Sequence, residues 1–198
     1  MKLNNKTLKI IKVSVSLLIA FVLVFTALFT YREHLDEAYE LTFLSSFAVG
    51  IFYLISGVLI LFNKSVPQIL YLCAAILLLI VFFVCIAFSN QFQMSGGFAF
   101  LHIVNPLLVL GYYLTLCDLT ETTVKLVPTV AAVPLLYFVF VIVFGSVTGN
   151  YIYFFMNYEK VGIPYSVIFI LGILTGIFAL GFALYYCNRL IHKSVRKK

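Results

Sequence analysis

Two short stretches hold the side chains able to do chemistry in an otherwise hydrocarbon-like chain. In LTFLSS, Thr42, Ser45 and Ser46 stand at i, i+3 and i+4, so three hydroxyls share one helix face. In HIVNP, His102 and Asn105 share a face by the same spacing, just before Pro106. A hydroxyl is a weak nucleophile until a base takes its proton, and imidazole is the side chain that titrates nearest working pH. Thr42 and His102 are therefore the minimum for nucleophilic acyl transfer, with Ser46 or Asn105 as hydrogen-bond donor to the oxyanion. Plainer roles compete at each position. Serine and threonine in helices bond back to the i−4 carbonyl, and Asn105 is equally suited to hold two helices together.

The elements that must position these groups follow from composition. Of 198 residues, 64% are hydrophobic and 10% charged, whereas a soluble domain carries roughly 25% charged residues. Mean hydropathy is +1.13. These values predict an all-α polytopic membrane protein and exclude an aqueous globular domain. Stretches of about 20 apolar residues cross the roughly 30 Å hydrocarbon layer, and six are legible, at 13–30, 41–62, 69–89, 98–117, 126–147 and 165–187. Short connectors hold almost all the charge, so residues 1–198 are expected to form one six-helix transmembrane domain. The first span is longer than a signal-peptide core and has no clear A-x-A site after it, so it reads as an uncleaved helix.

Lysine and arginine set the expected orientation. The N-terminal tail has Lys2, Lys6, Lys9 and Lys12, the C-terminal tail has Arg189, Lys193, Arg196, Lys197 and Lys198, and Lys64 and Lys125 lie on the same side. Arg32 and Lys160 are the two on the other side. The positive-inside rule then predicts both termini in the cytoplasm. The net charge of +6 is mostly this asymmetry; it suits anionic lipid headgroups and gives no support for nucleic-acid binding. Cys73, Cys85, Cys117 and Cys187 all fall in or at the ends of spans, where thiols behave as small hydrophobes. No metal-ligand spacing is present, and neither a metal nor a cofactor is expected.

The connectors differ in character. YREHLDEAYE gathers Glu33, Asp36, Glu37 and Glu40, read as a solvated loop in preference to a cation-attracting rim. NKSVPQ is a tight turn, and NQFQMSGG frees the chain to turn back through its glycine pair. TGNYIYFFMNYEKVGIP is long and aromatic; Tyr151, Tyr153 and Tyr158 suit the headgroup level, and the segment is expected to lie on the membrane or fold over the bundle mouth. Gly172 and Gly176, with Gly181 beyond, are expected to let helices approach inside the bundle. Pro106, Pro128 and Pro134 fall within spans, where neighbours can re-satisfy freed backbone groups.

Spans two and four run inward from the same side. Thr42 lies one residue past its span's start and His102 four past its own, a depth difference of roughly 4–5 Å. The hydroxyl face and the imidazole are thus expected at one level, beneath the outer headgroups.

LTF at Thr42, the H-x-x-x-P of HIVNP, and V-T-G-x-x-x-Y from Val147 to Tyr153 occur in that order on spans two, four and the end of five. In this the chain resembles the androgen-induced and androgen-dependent TFPI-regulating protein family with its bacterial multi-span relatives, over about residues 39–162. The resemblance implies a six-span intramembrane hydrolase of lipid (fatty-acyl) esters in a bacterial plasma membrane, with Thr42 matching the nucleophile and His102 its partner. Thr148, Gly149 and Tyr153 match the loop motif, and Tyr153 is added to Ser46 and Asn105 as a substrate-supporting residue. The chain departs from the pattern at Ser46, where bacterial relatives often have Asn, and at Phe154, where the loop usually has Pro. The alternative expectation is a non-catalytic membrane module that binds a small solute or lipid, of the kind that serves transporters as a substrate-binding subunit.

Overall fold

The computed structural model describes residues 4–87 and 96–196, and all of its regular secondary structure is helical. Among the described residues six helical segments are long and apolar enough to cross a membrane, which makes the chain an integral membrane protein. Residues 90–95 of the expected glycine-ended turn, the end of the expected third span, and the charges at Lys2, Lys197 and Lys198 lie outside the described residues.

Helix α1 (Asn5–Thr30) begins eight residues before the expected span, because Asn4 caps it through a bond from the Lys6 amide (3.1 Å). Lysine is a good helix former, so the helix need not stop where the apolar run does. The same holds at the other end of the chain, where α8 (Ile163–Arg196) continues well past residue 187. Helix α2 (Leu41–Leu61) ends in a left-handed Asn63, whose amide and that of Lys64 return to the carbonyls of Ile60 and Leu59.

Helices α1 and α2 form a tight antiparallel hairpin. At Gly50 an added Cβ would meet Val24 Cγ2 at 2.7 Å, and at Gly57 it would meet Ser16 Cβ at 3.3 Å. Two glycines seven residues apart therefore set the closeness of this hairpin. Helix α3 (Gln68–Ala87) is apolar all round and occupies the centre. In its most hydrophobic stretch 61% of residues are buried, against 11% in α8. Tyr53, Tyr71 and Tyr112 pack there with ring centroids 5.0–5.7 Å apart, and Ser16 donates to the Tyr112 hydroxyl at 2.9 Å.

The fourth crossing is composite: α4 (Gly96–Ala99), a π-helical turn at Phe100–Val104, then α5 (Asn105–Leu116). The Asn105 amide reaches back five residues to the Phe100 carbonyl. Pro106 has no amide hydrogen and crowds the carbonyl four residues earlier; the wider turn before it relieves that conflict. The fifth crossing starts as a 3₁₀ helix, Val124–Ala131, around Pro128, and becomes α6 (Ala132–Thr148). After the short α7 (Tyr158–Val161), α8 returns through the bundle.

Asn188 ties α8 to the end of α5. It is fully buried, donates to the carbonyls of Tyr113 (2.8 Å) and Cys117 (3.1 Å), and accepts from the Leu119 amide (3.1 Å). Gly181 packs on Val130 as expected of a helix contact, but Gly172 and Gly176 meet nothing within 4 Å. Their face is open instead of packed inside the bundle.

Candidate active site

Thr42 is the second residue of α2, where the first turn leaves backbone amides without helical acceptors. His102 sits in the π-helical turn. Sixty residues apart in the chain, they meet with Thr42 Oγ1 3.3 Å from His102 Nε2. The other ring nitrogen, Nδ1, lies 2.9 Å from the Phe98 carbonyl. A carbonyl only accepts, so Nδ1 bears the hydrogen of the neutral imidazole. Nε2 is then left with its lone pair facing the Thr42 hydroxyl, the tautomer a general base requires. The Phe98 ring stacks on the imidazole, centroids 3.8 Å apart, and fixes its plane.

Both side chains line a cavity of about 440 Å³ at the end of the bundle opposite the start of α1. The lining combines polar side chains, Tyr31, His34, Glu37 and Glu40, with apolar ones such as Ile80, Val84 and Ile173. Tyr31 donates to Glu40 Oε2 at 2.6 Å. Burial raises the Glu40 carboxyl above its ordinary pKa, despite the bond from Tyr31. Glu33, Asp36 and Glu37 are exposed as expected of a solvated loop, whereas Glu40 is half-buried; Glu37 and Glu40 both line the cavity.

The long aromatic connector folds over the mouth, and Ile152, Tyr153 and Phe155 line the cavity. The Tyr153 hydroxyl is 3.3 Å from that of Tyr137 and lies against the Leu41 amide at the start of α2. Burial pushes the Tyr153 phenol up to about 12, so it stays protonated and able to donate at neutral pH. Gly149 has φ +74 and caps α6, its amide bonding the Gly145 carbonyl at 2.8 Å. Thr148 donates to the Phe144 carbonyl and accepts from the Asn150 amide. V-T-G is thus a helix stop, after which the chain turns and brings Tyr153 to the cavity.

Two of the expected supporting residues lie elsewhere. Asn105 is fully buried and donates to Thr26 Oγ1 of α1 at 2.9 Å; it does not line the cavity. Three-residue spacing puts side chains on one face of an α-helix, but the five-residue repeat of the π-turn rotates His102 and Asn105 apart. Ser46 is also fully buried away from the cavity, and Ser45 donates to the Thr42 carbonyl at 3.3 Å. Of the hydroxyl face of LTFLSS only Thr42 reaches the imidazole, because Ser45 and Ser46 lie about one turn, roughly 5 Å, further along the axis.

The sequence reading missed Thr30, Tyr31 and His34. Thr30 lines the cavity with a buried hydroxyl that has no hydrogen-bond partner among the described residues. Its position at the very end of the first apolar run, level with Thr42 across the hairpin, was the available signal. Among the described residues no group of three His, Cys, Asp or Glu is placed to hold a metal ion.

The fold and site define a six-helix integral membrane protein with an amphipathic cavity built around a threonine–histidine pair. Comparison with protein-family models, curated proteins and solved structures finds no match to this chain.

Proposed function

We propose that this protein is an intramembrane hydrolase of fatty-acyl esters, with Thr42 as nucleophile and His102 as general base. The observation that carries the reading is the Thr42–His102 contact of 3.3 Å inside a cavity, with Nδ1 held by the Phe98 carbonyl. His102 Nε2 takes the hydroxyl proton as Thr42 Oγ1 attacks the ester carbonyl. The tetrahedral oxyanion collapses, the alkoxide leaves with the proton from His102, and the acyl group remains on Thr42. Water, deprotonated by the same imidazole, then attacks the acyl-threonine and returns the proton to Oγ1. The first-turn amides of α2 and the protonated Tyr153 phenol are the donors available to the oxyanion, in place of Ser46 and Asn105. No metal or cofactor takes part in this scheme.

The charge asymmetry of the connectors favours both termini in the cytoplasm and the cavity under the outer leaflet, where membrane lipids supply the substrate; a bacterial plasma membrane is what the family resemblance implies. The order of LTF, HIVNP and VTG…Y on the spans supports kinship with the androgen-induced and androgen-dependent TFPI-regulating protein family. The purified protein is expected to react with a fluorophosphonate probe. Labelling that survives Thr42→Ala unchanged removes Thr42 as the nucleophile. A non-catalytic binding module draws support from Glu37 and Glu40 in the cavity wall, which suit a cationic or neutral solute; tight binding without probe labelling or turnover would favour it.

A further inference from the structure

A second concavity, of about 670 Å³, opens on the bundle's flank between α3 and α8. Among the described residues no charged or hydrogen-bonding side chain lines it: Phe83 and Ala87 come from α3, and Gly176, Leu180 and Ala183 from α8. Only hydrocarbon is suited to such a lining. Ile80, Val84 and Ile173 line both this groove and the Thr42–His102 cavity, so the two share one wall. At their junction the Phe155 ring from the cavity stacks on the Phe169 ring from the groove, centroids 4.2 Å apart. Along α8 the groove runs from Phe169 to Ala183, about 21 Å at 1.5 Å per residue, more than half the roughly 30 Å hydrocarbon layer.

We infer that the α3–α8 groove holds the acyl chain of an ester lipid whose carbonyl end occupies the Thr42–His102 cavity; this rests on the hydrolytic reading of that cavity. A second copy of the chain is a poorer occupant. Eleven residues line the groove, against the roughly 20–30 per side of a stable interface. Lipid tails are as apolar as the groove, so seating one there gains little from the hydrophobic effect. The groove acts by register: an extended tail along α8 sets how far the ester carbonyl reaches toward Thr42 Oγ1. Long-chain esters are therefore the ones whose turnover depends on it.

Gly176 and Gly111 of α5 make a matched pair for the test. An added Cβ at either meets nothing within 4 Å, but of the two only Gly176 lines the groove. In nanodiscs of phosphatidylcholine, Gly176→Phe is expected to lower kcat/KM for para-nitrophenyl palmitate about tenfold and to leave the butyrate ester within about twofold, with Gly111→Phe changing neither. A palmitoyl ester bearing a diazirine at the chain end is expected to crosslink to α3 and α8 along the groove, in competition with unlabelled ester. That crosslink should persist in Thr42→Ala and vanish in Gly176→Phe. Competed crosslinks in the groove without hydrolysis of any ester keep the groove and remove the hydrolase. Thr42-dependent hydrolysis with equal effects of Gly176→Phe on both chain lengths, or competed crosslinks elsewhere, overturns the groove and keeps the hydrolase. Conversion of a dimer to a monomer by Gly176→Phe, with crosslinking unchanged, assigns the face to a second copy and also overturns it.

Discussion

Replacing Thr42 and His102 by Ala, singly and together, separates a chemical role from a structural one. The bond between them is 3.3 Å long and joins two half-buried groups, so its loss costs about 0.5–1.5 kcal/mol of folding stability. Interhelical bonds in membranes average nearer ~0.6 kcal/mol. His102→Ala also releases the Phe98 carbonyl from its 2.9 Å bond, a second cost of the same order. A general base, by contrast, contributes about 10²–10⁴ in rate, or about 2.7–5.4 kcal/mol at 1.36 kcal/mol per decade. The expected outcome is a loss of at least a hundredfold in hydrolysis of para-nitrophenyl butyrate, with the thermal midpoint lowered only slightly. Because the imidazole works through Thr42, the double variant should be no worse than the poorer single one, as for residues that act as a unit. Acidification should reduce the wild-type rate, since a protonated Nε2 has no lone pair to accept the hydroxyl proton. Independent, additive losses would refute the pairing, and so would activity that merely tracks the folded fraction.

Three further outcomes follow from the geometry. Burial raises the Glu40 carboxyl, so the folded state resists its ionisation; its contribution is most favourable below the unfolded pKa of about 4.3 and declines as pH rises through the raised folded value. Glu40→Gln, uncharged and still able to accept from Tyr31, should therefore raise the thermal midpoint near pH 8 and change it less near pH 4; the opposite order would mean that the carboxylate is stabilised in place. Asn105→Ala should leave kcat within about threefold, because the side chain serves Thr26 and not the cavity, whereas loss of an oxyanion donor costs about 10²–10³. Asn188→Ala leaves the Leu119 amide and two carbonyls without their side-chain partner and should cost about 3 kcal/mol in an SDS-titration unfolding assay; a cost below about 1 kcal/mol would mean that water replaces the amide.

The membrane class, the number of spans and the two residues worth pairing were all legible in composition and spacing. Hydropathy is a property of consecutive residues, and the bilayer thickness fixes how many are needed to cross, so no tertiary information enters. Thr42 and His102 stood out because polar groups are costly in hydrocarbon. The ends of the spans were less legible, since α1 and α8 continue as helix through their lysine-bearing turns. Rotation about each helix axis, by contrast, was settled by packing between helices. Spacing put His102 beside Asn105 and Thr42 beside Ser46, yet the π-turn before Pro106 and the position of Thr42 in the first turn of α2 divide both pairs between cavity and core. A one-residue widening of a single turn turns a side chain toward another neighbour, and its effect depends on which helix stands there. The approach of Glu40 to Tyr31, the fold-over of Tyr153 and the groove opened by Gly176 depend on contacts between segments far apart in the chain. Local sequence leaves those undetermined.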